Sequence, residues 1–398
     1  MKNFMTLVKY ELKKILTRKT AIISVVIMML VMAFMASMDV LFSDETGKSG
    51  FEIMTEYREQ SLHLNGRLVD NTLLREMRES FGERAKASDG TVDINAVLDD
   101  WSNPYRAIFT MVRSIVGSNG GAIEVDEDTL YKAWEAYNVN RWDTYRLTEG
   151  EKEYWREKLT EVERPFTYYY NYGSSKSMVE FYTCSILMLL MVTVSLSAVF
   201  SDEYSKGMDK LIMSTRKGKG ITYFAKLTAG MIFAFVGAIL LILSGIIPTL
   251  MFYGAEGMDA AVQLYMETSP FNMTIGNVLC IFMVIYMITA LLYAVLTMLF
   301  SQVFRSSITS MGIMIGFLIF MMCVTVPENF RVLSQLFDLL PANVLAVWSL
   351  FDVRLVPFFG GYLTNLQVAP VAYVLLTLVL IGIGKLVQMR RENVKVSK

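Results

Sequence analysis

Six runs of about twenty residues carry almost no ionisable side chain, and they decide what this chain can become: 20–42, 181–200, 227–252, 273–300, 307–326 and 370–388. In a hydrocarbon core about 30 Å thick every peptide group must find its partner within its own segment, so runs of this length form spanning helices. Asp39, Glu180 and Lys385 stand near the ends of runs, within reach of headgroups. The first run ends near the small residues Ala36 and Ser37, as a secretory leader does, but it exceeds a leader's usual apolar length of roughly 7–15 residues. Composition agrees with the membrane class: 54% of the 398 residues are hydrophobic and 19% charged.

Lysine and arginine set the orientation. Lys2, Lys9, Lys13, Lys14, Arg18 and Lys19 precede the first run. Lys206, Lys210, Arg216, Lys217, Lys219 and Lys226 lie between the second and third, and Lys385, Arg390, Arg391, Lys395 and Lys398 close the chain. Segment 253–272 has no base, and 327–369 has only Arg331 and Arg354. Both termini and the 201–226 loop are therefore expected on the cytoplasmic side. The expectation is an all-α polytopic membrane protein with six transmembrane helices: a cytoplasmic interfacial helix (1–19), an extracellular domain (43–180), a cytoplasmic coupling loop (201–226), an external loop (253–272), a cytoplasmic loop (301–306), an external re-entrant segment (327–369) and a cytoplasmic tail (389–398).

The segment between the first two spans is acidic, with 17 Lys/Arg against 25 Asp/Glu over residues 43–178. It reads as mostly helical. Ile53, Tyr57, Leu64, Leu68, Met77 and Phe81 fall near one helix face, and "TEGE" at 148–151 fits a capping box for a helix through about Glu163, ended by Pro165. Trp101, Trp134, Trp142 and Trp155 are expected as core. Tyr168, Tyr169, Tyr170 and Tyr172 are expected as an aromatic belt at the outer interface. In 327–369, "VLSQLFDLL" and "VLAVWSLF" are too short to span and suit re-entrant or interfacial helices among Pro327, Pro341, Pro357, Gly360 and Gly361. Cys184, Cys280 and Cys323 all sit in apolar runs, so no disulfide framework is available.

The loop "FSDEYSKGMDKLIMSTRKGKG" (200–220) leaves the apolar environment and returns at once. Asp202 and Glu203 suit the first turn of a short helix, and Met208, Leu211 and Ile212 share a face by their spacing. Gly218 and Gly220 then release the chain. Taken by itself it also reads as a basic juxtamembrane loop on anionic lipid. Residues 3–19 form a second amphipathic helix, with Phe4, Leu7, Val8, Leu12, Ile15 and Leu16 on one side.

This layout resembles the permease subunits of type-2 ABC exporters: an interfacial N-terminal helix, six spans, a cytoplasmic coupling helix between spans two and three, and re-entrant helices between spans five and six. The most specific stretch is "FSDEYSKGMDKLIMSTRKGKGITYFAKLTAG". By position the resemblance implies that Glu203, Gly207, Leu211, Ser214, Thr215 and Arg216, with Met208 and Ile212 on the apolar face, contact a separate cytoplasmic ATPase that carries ATP and Mg. It further implies a second permease copy, identical or related, a lipid environment in a bacterial plasma membrane, and no cofactor or nucleic acid on this chain. The large segment between spans one and two departs from many members and resembles variants that handle peptides, antimicrobials or sodium. It leaves the cargo open among a peptide, an antimicrobial, a lipid-like molecule and an ion. Thr193, Ser195 and Ser197 on the second span and Asn277 and Thr289 on the fourth are candidate pathway-lining groups.

Chemistry within the chain itself finds little footing. "TGKSG" at 46–50 has Phe42 where a phosphate-binding loop needs glycine, and it follows an apolar run rather than a strand. His63 is the only histidine, and no carboxylate pair lies mid-span. Asp99, Asp100 and "EVDED" (124–128) read as a solvated acidic face or a weak cation site, and "GIMIG" (312–316) as a helix-packing pattern. The alternative class is a membrane sensor or scaffold whose extracellular domain binds a peptide and signals to a cytoplasmic partner.

Overall fold

A computed structural model describes residues 2–41, 47–81, 101–117, 124–207, 218–327 and 329–396. Helix α1 (Lys2–Leu16) buries Val8, Glu11 and Ile15, a stripe at helical spacing. It ends where Thr17 Oγ1 donates back to the Lys13 and Lys14 carbonyls at 2.9 and 3.2 Å. The apolar helix α2 (Lys19–Leu41) follows after a two-residue break, Thr17 and Arg18.

Among the described residues, five stretches are helical, long and apolar enough to cross a membrane: Lys19–Leu41, Tyr172–Ser205, Gly220–Tyr253, Ile275–Phe304 and Asn365–Arg390. They belong to α2, α8 (Tyr172–Leu196) with the short α9 (Ser201–Ser205), α10 (Gly218–Tyr253), α11 (Ile275–Phe304) and α15 (Asn365–Val396). The sixth apolar run is the 17-residue helix α12 (Ser307–Cys323). At 1.5 Å per residue it is about 25 Å long, shorter than the other five. The molecule is thus an all-α multi-pass membrane architecture, with one small hairpin.

Helix α8 sits at the centre, packed on α2, α10 and α11. Its small residues allow that: Gly173, Ser174, Ser177, Ser185 and Ser195 are all buried. A Cβ on Gly173 would stand 2.0 Å from the Gly254 carbonyl oxygen, so only glycine fits there. By contrast α2 exposes Ile23, Ile27, Leu30, Phe34 and Met38, an apolar face suited to lipid. On α12, Ser310, Met314, Leu318 and Met321 face the bundle, while Gly312 and Gly316 face open space.

Between α2 and α8 lies a helical head: α3 (Gly50–Leu62), α4 (Asn71–Phe81), α5 (Arg106–Val116), α6 (Glu127–Thr144) and α7 (Glu149–Glu161). The single face read from Ile53 to Phe81 is in fact two helices. The chain turns at Gly66 (φ +79°) and pairs Leu68 with Thr167, leaving Leu68 exposed. The capping box at Thr148 and Glu151 is present, and a second one at Ser49 and Glu52 uses the serine of the phosphate-loop-like sequence. Trp134, Trp142 and Trp155 are buried, as expected of core, whereas Trp101 is half-buried under the Arg106 guanidinium. The tyrosine belt is corrected: Tyr168 and Tyr170 are buried in protein, with Tyr170 Oη donating to the Tyr253 carbonyl at 2.8 Å.

The head shares one continuous core with the bundle. Trp134 Nε1 donates to the Glu267 carbonyl at 2.9 Å and Trp155 Nε1 to the Val353 carbonyl at 2.7 Å. Segment 327–369 supplies two short helices, α13 (Arg331–Asp338) and α14 (Val347–Leu350), in the stretches read as non-spanning. It then forms an unforeseen hairpin of β1 (Val356–Phe358) and β2 (Gly361–Leu363). The hairpin turn places Phe359 and Gly360 at φ +44° and +85°, the pair of positive values that a two-residue turn requires.

Candidate functional site

At the end of the bundle that carries both termini, three elements are tied by charge. Glu11 and Lys14 stand one turn apart on α1, Glu203 lies in the first turn of α9, and Lys226 lies in the third turn of α10. They close a ring of alternating sign. Lys14 Nζ meets Glu11 at 2.8 Å and Glu203 at 3.4 Å, while Lys226 Nζ meets Glu203 at 2.5 Å and Glu11 at 3.8 Å. Beside the ring, Arg18 in the α1–α2 break pairs with Asp202 at 2.9 Å and donates to the Ala198 carbonyl at 3.2 Å.

The sequence explains why these groups meet. Lys226 is the lone base in an otherwise apolar stretch of α10 and is 2% exposed. An ammonium that deep is tolerated only with partners. It has two carboxylates, the Val199 carbonyl at 3.3 Å and the Phe200 ring at 5.3 Å. Burial works against the Lys14 ammonium, but hydrogen bonding and charge from Glu11 and Glu203 outweigh it and hold its pKa above the usual 10.5. The α9 turn is pinned to α11 as well, because Ser301 Oγ accepts from the Phe200 and Ser201 amides at 3.2 and 3.1 Å.

The chain leaves this ring at Gly207, whose φ of +66° suits glycine, and α10 begins at Gly218. Gly218 and Gly220 are therefore the opening of α10 rather than a release before it. Met208, Leu211, Ile212, Ser214, Thr215 and Arg216 lie outside the described residues. The described residues on either side of that segment carry Glu203 and Lys226, which meet each other and α1.

Of the residues singled out in the sequence for partner contact, Glu203 and Gly207 occupy special positions here. The network roles of Glu11, Lys14, Arg18, Asp202 and Lys226 escaped sequence reading. Two signals were available: Glu11 is the lone acid of a basic helix, and Lys226 interrupts an apolar run.

The candidate pathway residues are not gathered on one lining. Thr193 and Thr289 are fully buried, and Thr289 Oγ1 donates to the Ile285 carbonyl at 2.7 Å. Ser195 Oγ shares a hydrogen bond with Ser24 at 3.0 Å, and Ser197 ends α8. Asn277 is exposed in the first turn of α11, about 18 Å along the axis from Thr289. His63 is exposed at the end of α3, and among the described residues no group of three His, Cys, Asp or Glu is placed to hold a metal ion. Asp126 and Glu127 of the acidic 124–128 stretch start α6, where Asp126 accepts from the Thr129 amide at 2.8 Å. Asp99 and Asp100 lie outside the described residues.

No family model, curated protein or solved structure matches this chain.

Proposed function

We propose that this chain is the membrane-spanning subunit of an ATP-driven exporter of the type-2 ABC kind, and that it receives force from a separate cytoplasmic ATPase through residues 203–216. The observation that carries this reading is the closed charge ring, which joins both ends of the 207–218 segment to the interfacial helix α1 and to α10. A push on that segment tilts α8 and α10 together, as alternating access requires. On this reading α12 is the sixth span despite its length, the basic end of the bundle is cytoplasmic and the helical head is outside. A second copy packs on the Gly312 and Gly316 face of α12. ATP and Mg belong to the partner, and the cargo is a peptide, antimicrobial, lipid-like molecule or ion.

A photo-reactive amino acid in place of Leu211 tests the partner. Irradiation of membranes, followed by mass spectrometry, is expected to join the chain to a protein carrying a G-x-x-x-x-G-K-[ST] phosphate loop. Products that lack any such protein contradict the reading.

A further inference from the structure

At the opposite end of the bundle, α2, α3, α5, α8 and the 253–274 loop enclose a cavity of about 500 Å³. This size suits a small organic molecule. Its walls are largely apolar and aromatic: Met35, Tyr57, Tyr172, Val179, Leu264 and Tyr265. Met35 and Val179, 45% and 47% exposed, form the mouth, and Met35 belongs to the same apolar helix as the exposed Leu30, Phe34 and Met38. A molecule dissolved in the bilayer reaches the cavity from the side.

The polar groups inside are unevenly matched. Two cations line the cavity, and both are engaged. Lys176 pairs with Asp39 and lies 4.7 Å from the Tyr253 ring centre, while the Arg106 guanidinium stacks on Trp101 at 3.5 Å. The two carboxylates, Glu180 and Glu267, have no ion pair within 4 Å among the described residues, although Glu180 is only 6% exposed. Burial lifts the Glu267 carboxyl to about 7. Among the described residues two further wall groups lack partners: Asn171 Nδ2 and Ser175 Oγ are buried without a hydrogen bond, on residues 8% and 6% exposed. A buried polar atom left unsatisfied is costly, and a ligand that satisfies it recovers that cost. Glu180 lies one turn from Lys176 on α8 and Glu267 meets the Ser114 hydroxyl, but neither carboxylate is in a contact ion pair; the unbonded groups are a donor and a hydroxyl, and much of the remaining wall is apolar.

We infer that this cavity is a binding site for an amphiphilic organic amine that enters from the bilayer, its ammonium between Glu180 and Glu267 and its apolar body against the tyrosines. The acceptor next to the amine takes the Asn171 amide, and Ser175 Oγ bonds the ammonium or the acceptor. The site stands on the cavity alone, whether or not the chain is driven by an ATPase.

The test uses the full chain in nanodiscs of phosphatidylcholine, which carry no net charge to attract amines, with 2-(1-naphthyl)ethylamine as probe. Titration calorimetry is expected to show saturable one-to-one binding that is about tenfold weaker for the N-acetylated, uncharged probe. Glu180→Gln and Glu267→Gln are each expected to weaken the amine several-fold without changing the acetylated probe. Val179→Trp, at the exposed mouth where folding is not at stake, blocks both probes. Equal binding of the two probes, uptake no greater than by empty nanodiscs, or full binding to the Val179→Trp chain overturns the inference.

Discussion

Two charge clusters tie distant parts of this molecule together, and they are built to opposite specifications. In the head, Glu151 is 1% exposed and every acceptor position is in use. It takes the Leu355 amide at 2.9 Å, the Thr148 amide and hydroxyl at 2.8 Å each, and the Arg331 guanidinium. Nearby, Arg354 reaches Asp352 at 2.7 Å, Asp338 at 2.9 Å and the Ser334 hydroxyl. Backbone amides supply two of the four bonds to Glu151, which ties its carboxylate to the main chain. At the other end, the ring of Glu11, Lys14, Glu203 and Lys226 relies on side chains, with one contact of 3.8 Å and one of 3.4 Å. Each member has two partners of opposite charge and can lean toward either. Arg18 Nη1 beside it is buried and unbonded among the described residues. Saturated bonding makes the head a clamp, and redundant bonding makes the ring a joint.

The largest contrast between them is expected from Arg354→Ala. It removes the guanidinium that pairs with Asp352 and Asp338 in the segment beneath the head, and losing one partner of a buried pair costs about 3–5 kcal/mol. Thermal unfolding of the purified chain, followed by tryptophan fluorescence, reads this directly. A loss under about 1 kcal/mol would mean the clamp carries no weight.

An intermediate effect is expected in the ring. Lys226→Met leaves Glu11 and Glu203 facing each other with Lys14 alone between them. Adding Glu203→Gln removes the repulsion, so the double variant is expected to be more stable than the single one, with a coupling of about 1–2 kcal/mol. If the two changes simply add, the four groups do not act as a ring.

The smallest effect is in pH, and its sign differs at the two ends. Burial opposes the Glu151 carboxylate, but the Arg331 guanidinium and the Thr148 and Leu355 amides override it and set its pKa below the usual 4.5. Arg67 and Tyr105 likewise bring Glu76 to about 2. Both contributions are present above 4.5; that of Glu76 is lost as pH falls toward 2, and that of Glu151 as pH falls through its own lowered pKa. Lys14 is shifted the other way, so its contribution is present below 10.5 and is lost as pH rises through its higher folded value. Melting curves across pH are expected to show an acid loss that Glu151→Gln flattens and an alkaline loss that Lys14→Met flattens. Exchange of the two assignments breaks the contrast.

What could be read in the sequence was local. Apolar run length gives the long helices, and "TEGE" gives the start of α7, because each is decided within a few turns of chain. The reversal at Gly66 hid because Ile53 to Phe81 keep a helical period on both sides of it. Tyr168 and Tyr170 read as lipid-facing because nothing local says that Tyr57 and Tyr253 come to cover them. The ring needs Lys14 and Glu203 side by side across 189 positions, which only the packing of α1 on α10 provides. The hairpin hid because Pro357, Gly360 and Gly361 read as breakers, whereas its turn uses Phe359 at positive φ, a residue no turn rule favours.

The contrast between joint and clamp is tested most directly by paired distances in the chain bound to the nucleotide-binding partner proposed for it. Spin labels at the exposed Tyr10 and Ser205 span the ring, and labels at Glu149 and Phe359 span the head, with Cys280 and Cys323 replaced by serine. Addition of ATP and vanadate is expected to shift the Tyr10–Ser205 distance distribution and leave the Glu149–Phe359 distribution in place. A ring distance indifferent to nucleotide, with or without movement in the head, contradicts the proposal that force enters through residues 203–216.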